Sequence, residues 1–353
     1  SGAVKVSITG DNNNSGFSGD ININAGTVAF DTAGSNFISA NSNINVKSGS
    51  TFEYTSKDSE YTFSDATFAN VNLTGGGNNV VIAGQGSGNS RYVINSDWIT
   101  TNTITFKDAD YVLNTTFDKT SGTADNLNFE SSVITLGNSI PTSDSSVYTG
   151  VKDYNMGTNN YNLTGSTLDL SNNIAGNDYK FSVLNLIGDN NKISLDVNLY
   201  LDEVAGTMPY GDTITADSGD GVVRITKLFV TDDNGMFTSD SYHDKGIIRV
   251  FKGNNTLKVA STDNVNIMSW ATNVYKYGVT SASSGAADGH EQDSIRIAPM
   301  GVSSSDTLRD LNRYQLTSGG GVRGFSFVAK DGKQENNTYN IYRDLDTTAA
   351  QDF

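Results

Sequence analysis

Apolar and polar residues alternate along this chain in short runs that Gly, Asn, Asp and Ser interrupt. The longest run covers residues 193–201 (ISLDVNLYL), nine residues of strict period two. Because successive side chains of a β-strand point to opposite faces, this pattern predicts strands with one apolar face. Helical periodicity is nearly absent, and the best candidate is a turn or two at 305–311, capped by Ser305 or Asp306. The chain is therefore predicted to be all-β.

Two neighbouring segments resemble each other and indicate a repeat. Residues 19–30 read as two short strands hinged at Gly26, and residues 43–54 repeat that pattern 23 residues later. The second strand of the later copy begins one place further from its glycine. Weaker echoes, both reading Asn-Leu-Thr-Gly, occur at 72–75 and 162–165. Repeats of this length are typical of stacked architectures, in which one unit cannot bury its apolar face alone.

Asparagine is concentrated in the first part of the chain, with 31 of 41 residues before position 201. In a solenoid, Asn at equivalent turns can stack and form hydrogen bonds along the axis. The alternative is a loop-rich β-protein in which Asn merely fills turns. With rungs of about 20–25 residues over 1–180, spaced ~4.8 Å, the solenoid would be about 35–45 Å long.

The sequence pattern changes near residue 184, where the predicted strands become longer and Asp replaces Asn in the predicted turns. We predict β-helix rungs over 1–183, a capping segment over 184–300 that protects the open end of the stack, and a β-rich terminal section over 301–353. The first residues (SGA) and the last (TTAAQDF) carry no targeting signal and no closing strand pattern. We expect a fragment excised from a longer secreted protein.

Composition removes several classes of function. The 353 residues carry a formal charge of −16, which disfavours nucleic acid as a partner. The absence of Cys excludes disulfides, thiolate nucleophiles and Cys-ligated zinc. No apolar run approaches the ~18 residues of a membrane helix, so no membrane span is expected.

Candidate catalytic carboxylates occur as three pairs, and a glycosidase would need two that face each other across the sugar bond. Each pair lies in a turn-like context where Asp is favoured for backbone capping alone. Lys and Arg are sparse in the predicted rungs, which disfavours a lyase acting on acidic sugars. The pairs are Asp217/Asp220, Asp232/Asp233 and Asp202/Glu203.

Other chemistry has weak support in the sequence. His243 and His290 are expected at the surface, and no Gly-x-Ser-x-Gly motif supplies a nucleophile. The turn 231–235 (TDDNG) offers oxygen ligands for calcium, but its spacing matches no calcium loop. The Gly-rich stretches 75–79 and 84–88 are interpreted as turns. We assign no catalytic, cofactor-binding or metal-binding residue and expect no cofactor.

Aromatic residues are the remaining lead, because exposed rings beside Asn and Asp are typical of carbohydrate-binding and protein-binding surfaces. The alternative is that Tyr, a good strand residue, packs across strands. The candidates are Tyr54, Tyr61, Tyr148, Tyr154, Tyr161, Tyr179, Tyr275, Tyr277, Trp98 and Trp270.

These features resemble the passenger domains of bacterial autotransporters, the type V secreted proteins, in their adhesin-like subgroup. Residues 19–28 resemble their β-helix rungs. The stretches 195–202, 211–215, 246–251 and 274–279 resemble the C-terminal passenger segment called the autochaperone. The resemblance covers about residues 15–300 and is one of texture and spacing. The chain departs from the family by lacking the C-terminal barrel and by extending some 50 residues past the cap-like segment.

The resemblance implies a right-handed parallel β-helix, exported through the inner membrane and displayed on the outer membrane or secreted. A C-terminal outer-membrane barrel is then expected in the full-length protein. The expected function is non-catalytic adhesion, through a host glycan or protein receptor or through self-association between cells, as in a biofilm. The alternatives are a β-helix polysaccharide lyase or glycosidase and a purely structural stalk.

Overall fold

The computed structural model describes residues 4–10, 18–32, 42–95, 103–117, 125–144, 151–199, 209–231, 247–253, 256–260, 266–269, 277–281, 292–299, 325–329 and 339–343. All regular structure in these ranges is β, which confirms the predicted class. No helix in them is long and apolar enough to cross a membrane. The predicted helical turn at 305–311 lies outside the described residues.

The strands of the first half are short, mostly three to six residues. They are β1 (Lys5–Gly10), β2 (Ile21–Ile23), β3 (Thr27–Thr32), β4 (Ile44–Lys47), β5 (Thr51–Ser56), β6 (Glu60–Phe63), β7 (Val71–Thr74), β8 (Asn79–Ala83), β9 (Arg91–Ile94), β10 (Thr103–Lys107), β11 (Asp110–Leu113), β12 (Asn126–Glu130), β13 (Val133–Leu136), β14 (Thr142–Asp144), β15 (Lys152–Asn155), β16 (Asn160–Thr164) and β17 (Thr167–Asp169).

The later strands include the two longest, β18 and β22. They are β18 (Asp178–Ile187), β19 (Lys192–Asn198), β20 (Tyr210–Gly211), β21 (Thr213–Ser218), β22 (Gly221–Thr231), β23 (Ile247–Arg249), β24 (Phe251–Lys252), β25 (Leu257–Val259), β26 (Asn266–Ser269), β27 (Tyr277–Ser281), β28 (Ser294–Pro299), β29 (Phe325–Ala329) and β30 (Tyr339–Arg343).

Parallel pairing between successive rungs builds a parallel β-helix with three faces, which the chain visits in the order B, A, C. Face B holds β2, β4 and β7 and later β15, the first half of β18, β21 and β24. Face A holds β1, β3, β5, β8, β10, β12, β16, the second half of β18, the start of β22, and β25. Face C holds β6, β9, β11, β13, β17, β19, the end of β22, and β26.

The register confirms the repeat read from the sequence. Ile21 pairs with Ile44, a displacement of 23 residues, whereas Thr27 pairs with Thr51, a displacement of 24. The extra residue lies in the turn between β4 and β5, where Gly49 adopts a φ of +74°. Later rungs are less uniform, because the 34 residues from Asn126 to Asn160 include the antiparallel pair β14–β15.

The core lies inside the three faces and follows from the period-two pattern. In β5, for example, Phe52 and Tyr54 are buried while their neighbours are half-buried. Because the strands are in register, like side chains stack along the axis. Phe106 stacks on Phe129 with ring centroids 5.1 Å apart, and Phe129 on Tyr161 at 6.1 Å. Aromatic stacking in register thus adds to the apolar burial that holds neighbouring rungs together.

The parallel stack passes residue 184 without a break and continues to β26. The described strands that follow β26 pair in antiparallel fashion: β27 pairs with β28, which also pairs with the earlier strand β23, and β29 pairs with β30. The division into rungs over 1–183, a capping segment over 184–300 and a terminal section over 301–353 stays a prediction.

Candidate functional site

Asparagine side chains form ladders along the outside of the solenoid. On face B, the Asn45 Nδ2 donates to the Asn22 Oδ1 at 3.0 Å, and the Asn72 Nδ2 donates to the Asn45 Oδ1 at 3.1 Å. All three occupy outward positions of strands one rung apart. Each amide therefore satisfies its neighbour, and the amide groups stay accessible at the surface.

Face A carries two further ladders. The Asn162 Nδ2 donates to the Asn128 Oδ1 at 2.9 Å, and the Asn185 Nδ2 donates to the Asn162 Oδ1 at 2.7 Å. In the adjacent column the Asn160 Nδ2 donates to the Asn126 Oδ1 at 3.1 Å. All these bonds run in the same direction along the axis. The outer surface of β12, β16 and β18 is consequently a lattice of half-buried amides.

The predicted Asn ladder is thus present, but most of its bonds lie on strands and fewer at the predicted turns. The longer Asn–Asn ladders lie on strands, where the register places Asn side chains one rung apart. At turns, the Asn114 Nδ2 donates to the Asn95 Oδ1 at 2.6 Å, directly after β11 and β9. Asn at turns also forms bonds along the axis of another kind, in which the side chain accepts a backbone N–H of the preceding rung. Asn159 accepts from Asp125 at 2.9 Å, and Asn191 accepts from Ser166 at 3.1 Å. These turn residues are buried and hold the corners together.

A buried carboxylate pair lies between faces C and B. The Asp212 Oδ2 accepts the Asp196 N–H at 2.9 Å, and its Oδ1 accepts the Asn177 N–H at 3.0 Å. Asp212 is fully buried and Asp196 is 1% exposed. Burial and the repulsion by Asp196 raise the pKa of Asp212 well above its usual range. Burial also raises the pKa of Asp196 to about 6.

A small, partly open cavity of about 60 Å³ is lined by Asn172, whose backbone N–H binds Asp196. Its aromatic wall contains Tyr154 and Tyr179, whose rings stack with centroids 4.9 Å apart. Polar groups converge on it from the ends of two face C strands, and the Asn172 Nδ2 donates to the Tyr154 hydroxyl at 3.2 Å. The lining residues are Thr135, Leu136, Gly137, Asn138, Tyr154, Asp169, Leu170, Ser171, Asn172 and Tyr179.

The carboxylate pairs chosen from the sequence do not include the pair that the fold buries. Asp217 is exposed near the end of β21, and Asp220 is exposed in the turn that joins β21 to β22. The pairs Asp202/Glu203 and Asp232/Asp233 lie outside the described residues. Sequence reasoning missed Asp196 and Asp212, although Asp196 is a polar position of the longest alternating run. Within the part of the chain that is described, no group of three His, Cys, Asp or Glu could hold a metal ion.

The two Gly-rich stretches are turns, as predicted. Residues 75–78 join β7 to β8, with Gly75 at a φ of +80°. Residues 84–90 join β8 to β9, where the Ser90 Oγ accepts the Gln85 N–H at 2.9 Å. His243, His290 and most of the candidate calcium turn at 231–235 lie outside the described residues.

Most of the described aromatic candidates belong to the core instead of the surface. Tyr54, Tyr161 and Tyr179 are at most 2% exposed, which contradicts a surface role for these three rings. Their positions alternate with outward polar residues, and this period places them inside. Tyr61 and Tyr154 are half-buried, and two of these five described rings, Tyr154 and Tyr179, line the cavity. Trp98, Tyr148, Trp270 and Tyr275, together with the side chain of Tyr277, lie outside the described part.

The comparisons with known proteins add no relative to these observations. No protein-family model, no curated protein and no solved structure matches the chain.

Proposed function

We propose that this chain is a non-enzymatic adhesin, the passenger part of an autotransporter displayed on a bacterial surface or released from it. The observation that supports this function best is the set of Asn ladders on the outside of the solenoid. They present one amide per rung at a spacing of ~4.8 Å. An amide offers both a donor and an acceptor, so a row of them can bind hydroxyl groups of glycans or a like row on another copy.

Adhesion of this kind needs many weak contacts and no single deep pocket. A neutral hydrogen bond at a wet surface contributes about 0.5–1.5 kcal/mol, so one amide alone binds poorly. Repetition along the rungs, and display of many copies on one cell, raises the effective concentration of every further contact. Binding through a row of amides is also only weakly sensitive to salt, because it does not depend on ion pairs.

Display on cells tests the proposal. The chain is expressed on a non-adherent bacterium, and clumping and retention on glycan-coated and protein-coated surfaces are measured. We expect clumping or retention with the native chain and a loss of at least about ten-fold in N45D/N72D, which places repelling carboxylates in the exposed ladder. The matched control N89D/N190D adds the same charge at two exposed turn residues and should behave like the native chain.

Two results would contradict the proposal. Cells that display a folded chain and neither clump nor bind any surface would remove adhesion as the function. Cleavage of a polysaccharide by the purified chain, lost in a variant of Asp196 or Asp212, would favour the enzyme alternative.

A further inference from the structure

Residues 170–177, called the corner loop here, join β17 on face C to β18 on face B. The loop is exposed at Asn172, Asn173 and Ile174. Its backbone N–H groups bind the buried carboxylates of Asp196 and Asp212. The Asp196 Oδ2 accepts the Asn172 N–H at 2.6 Å, and the N–H groups of the next two residues also point to this carboxylate. The loop can present three successive N–H groups because Asn173 adopts a φ of +71°.

The other end of the corner loop is held by Asp212, which accepts the N–H groups of Gly176 and Asn177. Asp212 also accepts the backbone N–H of Asp196, so the Asp212 carboxylate is bound to the residue that carries the other carboxylate. The loop itself supplies Leu170, Ser171 and Asn172 to the wall of the cavity. Movement of the loop would therefore open or close the cavity.

The groups that face the pair are acidic or neutral. Asp169 at the end of β17 repels Asp196, and Asp212 repels it from the start of β21. Tyr179 of β18 donates its hydroxyl to the Leu170 carbonyl at 2.9 Å, and Tyr154 of β15 lies beside it.

The strand packed on the other side supplies no charge of its own to the pair. On β22, Phe229 is the register partner of Asp196, and the nearest cation in register is the exposed Lys227, opposite Ser194. No cation among the described residues forms an ion pair with either carboxylate. The Asp196 Oδ1 is also buried without a hydrogen-bond partner. An ionised pair is therefore poorly compensated here.

We propose that Asp196 and Asp212 form a pH-responsive clamp that holds the corner loop closed over the cavity when protonated and loosens it as the pair ionises. The direction follows from linkage. An open loop exposes Asp196 to water and returns its pKa to about 3.8, whereas the closed loop holds this pKa at about 6. The closed state thus binds the proton more tightly, and acid favours it. This clamp does not depend on the adhesive role proposed above.

Hydrogen exchange of the folded chain, followed by mass spectrometry and corrected for the intrinsic pH dependence of exchange, tests the clamp. The peptide that covers 170–177 is expected to become about ten-fold more protected when the pH falls from 7.5 to 5, from Asp196 alone. A peptide that covers β12 is the internal reference and should show no such change.

The variant D196N keeps an acceptor for the Asn172 N–H and cannot ionise. We expect its corner loop to stay protected at both pH values, as in the acid form of the native chain. D217N, which neutralises an exposed carboxyl near the end of β21, is the matched control and should retain the native pH response.

Equal protection of the native loop at pH 5 and 7.5 would overturn the clamp, and this result does not depend on whether any variant folds. A ten-fold response that persists in a folded D196N would overturn the assignment of this response to Asp196, the group from which it is calculated.

Discussion

Replacement of Asn162 by Ala tests whether the Asn ladder stabilises the solenoid. Asn162 is the middle residue of its ladder and forms two side-chain bonds, donating to Asn128 at 2.9 Å and accepting from Asn185 at 2.7 Å. A net contribution of about 0.5–1.5 kcal/mol per neutral hydrogen bond predicts a loss of about 1–2 kcal/mol, because the ladder is half-buried and water replaces part of it. Replacement of Asn185, at the end of the ladder, by Ala should reduce the free energy of unfolding by about half as much as replacement of Asn162.

Urea denaturation followed by circular dichroism measures these changes, with an unchanged m-value as the check that the same transition is compared. The double variant N162A/N185A completes the cycle, and we expect a coupling energy of about 0.5–1 kcal/mol between the two amides. A loss in N162A no larger than in N185A, together with a coupling below about 0.3 kcal/mol, would refute the idea that the bonds between rungs carry this energy.

Three further predictions concern the core, a turn and pH. Phe129→Ala should cost about 3–5 kcal/mol in urea denaturation, because it empties the middle of a ring stack, and Phe129→Leu should cost clearly less; equal losses would contradict this. Gly219→Ala should reduce the yield of folded protein or its melting temperature, because Gly219 has a φ of +140° and a Cβ there would lie 1.8 Å from a carbonyl oxygen. Gly188→Ala is the control, since Gly188 has a φ of +75° but no atom near the added Cβ, and it should cost only about 1 kcal/mol. Similar losses in the two variants would argue against steric exclusion. Because folding raises the pKa of Asp196, the free energy of unfolding should fall as the pH rises from 5 to 7.5. We expect this fall to be about 1.4 kcal/mol larger in the native chain than in D196N. Parallel plots of the free energy of unfolding against pH for the two proteins would contradict this.

The fold class was predictable because it depends on local pattern. Ile21-Asn22-Ile23 and its copy at 44–46 need no tertiary information to be read as strands with one apolar face. The strand register in the structure has the same displacement of 23 residues and the same one-residue offset after Gly49. The two Asn-Leu-Thr-Gly echoes show the limit of such reading, since Asn72 lies on face B and Asn162 on face A. Two segments of the same sequence can therefore both end a strand and still lie on different faces of the solenoid.

The candidate site was only partly predictable. The excess of Asn before residue 201 indicated ladders at turns, and ladders are present, but most of their bonds lie on strands, with one at the turns after β9 and β11. Asp217 was singled out because it stands beside a second carboxyl in the chain, and the fold leaves it exposed. Asp196 and Asp212 are 16 residues apart and meet only because β20 turns back along β19 and brings β21 beside β18. Adjacency in sequence was therefore a poor guide to proximity.

Short strands with one apolar face, broken by turns that favour Gly and Asn, follow from the amino-acid sequence alone. Those properties depend on the alternation of side chains and on φ, which are set within a few residues. The pairing of strands, the alignment of polar columns as ladders and the burial of two carboxylates together follow from the tertiary structure. These depend on the lengths of the loops between rungs, and one residue more or less in a loop changes which side chains meet in the next rung.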